Sequence, residues 1–317
     1  MADRYLERFA WLSLATGFVV LALKTLAWQL TGSVGLLSDA LESTVNIGAA
    51  LVAVFALRAA NRPADAEHHF GHGKAEYLSA MVEGVLILGA SAAIIATAVN
   101  RLISPQPLEK VGIGLAVSVV ASVLNGVVAL ILIRVGRAHR SMVLVADGKH
   151  LMTDVWTSAG VVVGVGAVAL TGWEPLDPMI ALAVGANILW TGWKLLRDSV
   201  SSLLDERLSD VEIDEVVAVL AAHESEEVRF HALQSRASGR QRFVSVHMLV
   251  PGDRSVREAH DLTAQIEEEI DVRLPQTVVT IHIEPLEDPR AWNDIPPGAE
   301  HPIDASRARF GQGPVTG

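Results

Sequence analysis

Two pairs of metal-binding side chains sit inside segments otherwise built of apolar residues. Glu42 and Asn46 lie in GLLSDALESTVNIGAALVAVFAL, and His150 and Asp154 in VADGKHLMTDVWTSAGVVVGVGAVAL. Residues at i and i+4 of a helix project from the same side about one turn apart, so each segment offers two donor atoms to a common point. Ionisable groups in hydrocarbon are expensive unless they are paired, hydrated or bound to an ion. Four coordinating side chains in such surroundings point to a metal ion crossing a membrane. The simpler alternative is a polar network that only fixes helix packing, since polar side chains do bridge helices in bilayers.

The elements that must position these residues follow from composition. Half of the 317 residues are hydrophobic and 19% are charged, with a mean hydropathy of +0.36; soluble domains carry about a quarter charged residues. The formal charge of −11 is concentrated after residue 200. That describes a solvated acidic domain and leaves no basic surface for nucleic acid. Without cysteine there are no disulfides and no thiolate ligands, so His, carboxylate and amide remain as donors and soft copper(I) chemistry is disfavoured.

About 20 apolar residues are needed to cross ~30 Å of hydrocarbon. Segments 9–30, 34–59, 77–102, 112–134, 142–170 and 176–197 meet that length. Six spans return the chain to its starting side. Arg4, Arg8, Arg58, Arg62, Lys74, Arg134, Arg137, Arg140, Lys194 and Arg197 fall on one set of loops, against Arg101 and Lys110 on the other. The positive-inside rule then puts both termini in the cytoplasm. The opposite links TGSV and TGWEPLDP carry no Lys or Arg. Gly160 and Gly164 offer a small-residue face for close helix packing.

Residues 207–287 change character. The pattern reads as helix 209–223, strand 228–236, strand 241–250, helix 255–272 and strand 277–285, with Gly239 making the hairpin turn. The expectation is a mostly α membrane protein: a six-transmembrane-helix bundle over 1–206, then an αββαβ cytosolic domain over 207–287. The tail 288–317 is rich in Pro, Gly, Ala and charge, and is expected to lack fixed structure.

The second and fifth spans run antiparallel, with each ligand pair roughly 12 Å to 18 Å deep at ~1.5 Å rise per residue. Counting along the axes puts Glu42 level with Asp154 and Asn46 level with His150. Two helices with two donors each suit a four-coordinate first-row divalent ion. Glu42 and Asp154 neutralise it; Asn46 and neutral His150 add no charge. Lys24 and Asp39, at similar depth on neighbouring spans, are expected to neutralise each other.

SVGLLSDALESTVN, PADAEHHFGHGKAEYLS and ADGKHLMTDVWTS together resemble the cation diffusion facilitator family of divalent-metal/proton antiporters, over residues from about 10 to 287. The most specific part is the GHGKAE loop combined with His-x-x-x-Asp on the fifth span. The resemblance implies a ferredoxin-like fold for the cytosolic domain, a homodimer, and a place in the bacterial inner membrane. It makes Glu42, Asn46, His150 and Asp154 the transport site. It also implies a loop site at Asp65, His68 and His72, with His69 an extra candidate, and a cytosolic-domain site at His231, His247, His260, His282 and Glu284. Lys74 and Asp205 match a charge pair. The chain departs from the family pattern at Glu42, where His or Asp is common, at Asn46, where Asp is common, and at Glu284, where Asp is usual. One nitrogen and up to three oxygen donors tilt the transport site toward manganese or iron(II) relative to zinc.

The implied activity is export of iron(II), manganese, zinc or cobalt against protons by alternating access. Metal ligands must be deprotonated, so binding expels protons and protonation expels metal; an imidazole, titrating near ~6.5, makes His150 the natural coupling group. No cofactor is expected beyond the metal ions themselves. No zinc-protease helix, nucleophile elbow or phosphate-binding loop is present, so an enzyme is not expected. A metal sensor built on the same fold is the alternative to a transporter.

Overall fold

The structure, a computed structural model, describes residues 2–105, 107–138 and 142–293, together with 295, 296 and 299. Arg140 and residues 300–317, most of the tail expected to lack structure, lie outside them. Six long helices come first: α1 (Ala2–Thr31), α2 (Val34–Ala60), α3 (Ala75–Ile103), α4 (Val111–Ala138), α5 (Met142–Thr171) and α6 (Leu176–Leu203). Among the described residues α1, α3, α4, α5 and α6 are long and apolar enough to cross a membrane, which makes five spans. α2, which carries Asp39 and Glu42, is a continuous helix of 27 residues and is not among these five.

By contacts the chain forms two compact units. One runs up to Phe55 and from Ser79 to Asp198; the other takes Ala56–Leu78 and continues from Ser199. In the first unit, α1 and α5 each stop at a glycine in the left-handed region, Gly32 (φ 65°) and Gly172 (φ 67°). Each glycine N–H returns to the helix, to Trp28 O at 2.8 Å and Val168 O at 2.9 Å, which is how a chain without a Cβ penalty ends a helix. Small residues set the packing. A Cβ on Gly148 would lie 2.8 Å from the Ala129 carbonyl of α4, and one on Gly164 would meet Ile180 of α6. Gly160, expected to share that role, is exposed with nothing near it. Large apolar side chains such as Trp156, Val163, Leu170 and Trp190 stand exposed on the outside of the helices, as faces bathed in lipid do.

In the second unit α7 (Asp210–His223), β1 (Arg229–Ser238), β2 (Gln241–Val250), α8 (Val256–Arg273) and β3 (Thr277–Pro285) follow in order. The sheet is ordered β1-β2-β3. β1 and β2 are antiparallel around a turn at Gly239 (φ 61°), and β2 and β3 are parallel, with α8 as the crossover. Val216 and Leu220 of α7, Ile266 and Ile270 of α8, and Phe230, Val246 and Met248 of the sheet make one buried core. Its burial follows the strand period of two and the helix period of 3.6. α8 starts at a capping box in which Ser255 N donates to Glu258 Oε2 at 2.9 Å and Glu258 N to Ser255 Oγ at 3.3 Å. The segment after β3 departs from the expectation of no structure: Pro289–Trp292 is a 3-10 turn. Asp288 caps it, accepting from Arg290 N at 2.9 Å, and Ala291 is buried.

Candidate metal centres

Contacts between α2 and α5 step along the two helices in opposite directions, Gly35 facing Val161, Asp39 facing Ser158 and Asn46 facing Asp154. Asn46 Nδ2 donates to both Asp154 oxygens, at 3.3 and 3.2 Å. The level expected for Asn46, opposite His150, is therefore corrected by one turn. The reason is the tilt of side chains toward the N-terminus of their own helix. In an antiparallel pair Asn46 and Asp154 lean toward each other, while Glu42 and His150 lean apart. Glu42 is half-buried, within electrostatic reach of Asp154 and Asp39. His150 is exposed at the other end of the contact and within reach of Asp154, which is 7% exposed.

One turn from Glu42 and from Asp154, three helices are tied together. Lys24 Nζ lies 2.8 Å from Asp39 Oδ1, and Ser158 Oγ donates to the same oxygen at 2.7 Å. Asp39 Oδ2 is buried with no hydrogen-bond partner among the described residues. Asp177 was not among the residues singled out from the sequence, yet it is 2% exposed and caps α2 from α6. Ser33 Oγ donates to its Oδ1 at 2.5 Å, Val34 N to its Oδ2 at 2.8 Å and Gly35 N to its Oδ1 at 3.2 Å. An acidic residue in the first turn of α6 signals only a cap for α6 itself, and nothing local announces that it serves another helix.

In the second unit Asp65, His68 and His72 offer donor atoms within 4.8 Å of one another. The backbone N–H of His68, at 2.8 Å, does most to hold the Asp65 carboxyl below its ordinary value, followed by that of Glu67 and by the two imidazoles. His72 Nε2 is 3.5 Å from Asp65 Oδ2, and its Nδ1 is buried with no hydrogen-bond partner among the described residues. His69 is exposed and is not part of that donor set; it lines a cleft of about 730 Å³ together with His72, Phe70, Arg240 and Phe243. The segment is anchored by Lys74, 2.9 Å from Asp205, which also takes Arg236 at 3.2 Å. Arg236 in turn lies over Phe70 and Phe243. Gly73 admits no side chain, because a Cβ there would run into the Ser238 carbonyl.

The sheet carries the third group. Strand register aligns His231 with His247 and His247 with His282 across all three strands. Glu284 lies two residues on from His282, on the same face. A bulge after His231, with Ala232 at φ 55°, turns that strand locally. His231 Nε2 is 2.9 Å and His247 Nδ1 3.4 Å from Glu284 Oε2, and His282 Nε2 is 3.5 Å from its Oε1. His231, His247 and Glu284 form the tight donor set; His282 is 62% exposed at its edge. His260 is exposed on α8 and is not one of the three. His231 Nδ1 is buried with no hydrogen-bond partner among the described residues. A buried donor set of two imidazoles and a carboxylate with such an orphaned atom fits a first-row divalent ion.

The comparisons with known proteins decide the family. Residues 10–204 match the model described as the cation efflux transmembrane domain, and residues 208–286 the cation efflux protein cytoplasmic domain. The chain belongs to the cation efflux family. This is the cation diffusion facilitator family that its motifs resemble, and its members are transporters and not enzymes. A protein of Synechocystis described as an uncharacterized transporter is 49% identical over 302 residues, 94% of this chain and 97% of its own. The cation-efflux pump FieF of Klebsiella pneumoniae is 33% identical over 285 residues, 89% of this chain and 93% of its own. A solved metal-bound C-terminal domain of the CzcD transporter from Thermotoga maritima is 32% identical, covering 26% of this chain and 99% of its own, at a TM-score of 0.23. This cation efflux protein is thus an integral membrane transporter with an α/β cytoplasmic domain.

Proposed function

We propose that the chain exports a divalent first-row metal ion from the cytoplasm in exchange for protons, by alternating access, as a homodimer in the bacterial inner membrane. α2 serves as the sixth span and both termini are cytoplasmic. The observation that carries this reading is the Asn46–Asp154 contact between α2 and α5, with Glu42 a turn away on one side and exposed His150 on the other. The exposed His150 end faces the cytoplasm, and the Lys24–Asp39–Ser158 network lies on the far side of the ligands. That arrangement suits an ion entering from within. Entry of the ion must break the Asn46–Asp154 hydrogen bonds, turning the amide so that its oxygen and the carboxylate become donors. His150 takes up a proton when the ion leaves. The match of residues 208–286 to the family's dimerisation domain supports the homodimer.

The two carboxylates, the amide and the single imidazole favour manganese or iron(II) over zinc. Metal uptake into proteoliposomes across an imposed pH gradient, with manganese, iron(II), cobalt and zinc compared in wild type and Asn46→Asp, tests this. The expected result is a preference for manganese or iron that moves toward zinc in the variant. No flux of any ion would leave the sensor reading in its place.

A further inference from the structure

Trp292 is the one tryptophan beyond residue 193, and it stands against His231, one member of the His231, His247 and Glu284 group. Its ring centroid is 5.7 Å from that of His231, tilted by 52°. The match to the cytoplasmic domain ends at residue 286, and the turn that brings this indole back follows it. The turn is held at several points. Leu286 N donates to Val250 O at 2.8 Å, continuing the sheet. The indole Nε1 donates to Leu286 O at 3.2 Å, Arg290 clasps Asp288 at 2.6 Å, and Asn293 Nδ2 donates to Pro289 O at 2.9 Å. Ala291 is 4% exposed.

We propose that Trp292 is a lid on the C-terminal metal site, closing over His231 and slowing exchange of the bound divalent cation. This rests on the reading of His231, His247 and Glu284 as metal ligands. Only seven residues separate ligand Glu284 from Trp292, and the Nε1–Leu286 hydrogen bond closes that short loop, so the ligand strand and the indole move together. His231 is 1% exposed and the indole covers one side of it. An ion leaving its ligands needs incoming water or chelator, and an apolar plane held over a ligand imidazole obstructs that exchange. The electron-rich face of an indole also favours a nearby cation. Trp292 itself is 46% exposed, as a lid with one wet face should be.

The test uses the full-length protein in detergent, with zinc(II) as probe. Zinc stoichiometry is compared between wild type and His231→Ala/Glu284→Ala, and chelator-driven release from the C-terminal site is followed by stopped flow in wild type, Trp292→Phe and Trp292→Gly. The fluorescence of Trp292 is taken as wild type minus Trp292→Phe. The expected result is a saturable, zinc-dependent change in that difference, release at least ten times faster in Trp292→Gly, and near wild-type release in Trp292→Phe, which keeps a ring. If the double variant loses zinc but Trp292→Gly releases it at the wild-type rate, the lid is wrong and the metal site stands. If the double variant binds as much zinc as wild type, the metal site is wrong and the lid falls with it. A Trp292 signal that follows protein concentration and not zinc would assign the residue to the subunit contact and overturn the proposal.

Discussion

Lys24 and Asp39 form an ion pair of 2.8 Å with 2% and 1% of their side chains exposed, on α1 and α2, one turn from Glu42. Removing one partner of a buried pair strands the other charge and costs about 3 to 5 kcal/mol, whereas replacing both by packed apolar side chains is often neutral. Lys24→Met should lower thermal stability in detergent sharply, and Lys24→Met/Asp39→Leu should recover most of it. Equal melting points for wild type and Lys24→Met would show that the pair contributes nothing.

The role of Asp177 as a cap on another helix predicts a graded series. Asp177→Asn keeps one acceptor oxygen, enough for the Gly35 amide and the Ser33 hydroxyl or for the Val34 amide but not for all three, so it should cost the charge at a helix N-terminus and one hydrogen bond, less than full truncation. Asp177→Ala leaves those buried N–H groups unsatisfied and should cost roughly 1 to 2 kcal/mol. Hydrogen exchange at the first turn of α2 is the direct measurement, rising in Asp177→Ala well above Asp177→Asn.

Asp205 gives a pH dependence of definite sign. The hydrogen bond from Lys74, and then the charges of Lys74 and Arg236, hold its carboxyl below the ordinary range. A carboxyl lowered in the folded state contributes stability that is fully present above its unfolded value, about 3.9, and is lost as pH falls through the folded value. The difference in unfolding free energy between wild type and Asp205→Asn should stay constant from pH 8 to pH 5 and be lost as the pH falls below about 3.9 and through the folded value. Because Lys74 and Asp205 are 36% and 47% exposed, the plateau should be no more than about 1 kcal/mol and shrink in high salt. A difference that grew on acidification would reverse the assignment.

Metal linkage should appear in the C-terminal domain. An ion that binds only the folded form at one hundred times its Kd adds about 2.7 kcal/mol of stability. Zinc should therefore raise the resistance of this domain to denaturant, and chelation or Glu284→Gln should erase the gain. A wild-type domain indifferent to zinc would remove the metal from the sheet.

How much of this was legible in the chain differs by element. Each of the six helices contains one of the apolar segments and overruns it by seven residues at most, at the start of α1, because length and hydropathy are local quantities. The αββαβ order was readable from periodicity, and the hairpin from Gly239, whose positive φ (61°) only glycine takes without strain. Glu42, Asn46, His150 and Asp154 could be singled out because ionisable and coordinating groups are conspicuous among apolar ones.

Depth along neighbouring spans foresaw the Lys24–Asp39 pair, but most contacts between elements were not readable. Which donors meet depended on the lean of side chains along antiparallel helices, which joined Asn46 to Asp154 and left His150 exposed. The alignment of His231, His247 and His282 depended on strand register, a relation between segments that no single segment carries. Asp177 reaches α2 from α6, and Trp292 returns over His231 from a stretch whose composition suggested no structure. Periodicity and propensity act over a few residues and are written in the chain. The partner of a side chain is chosen by packing among segments far apart in it, and only the tertiary structure makes that choice.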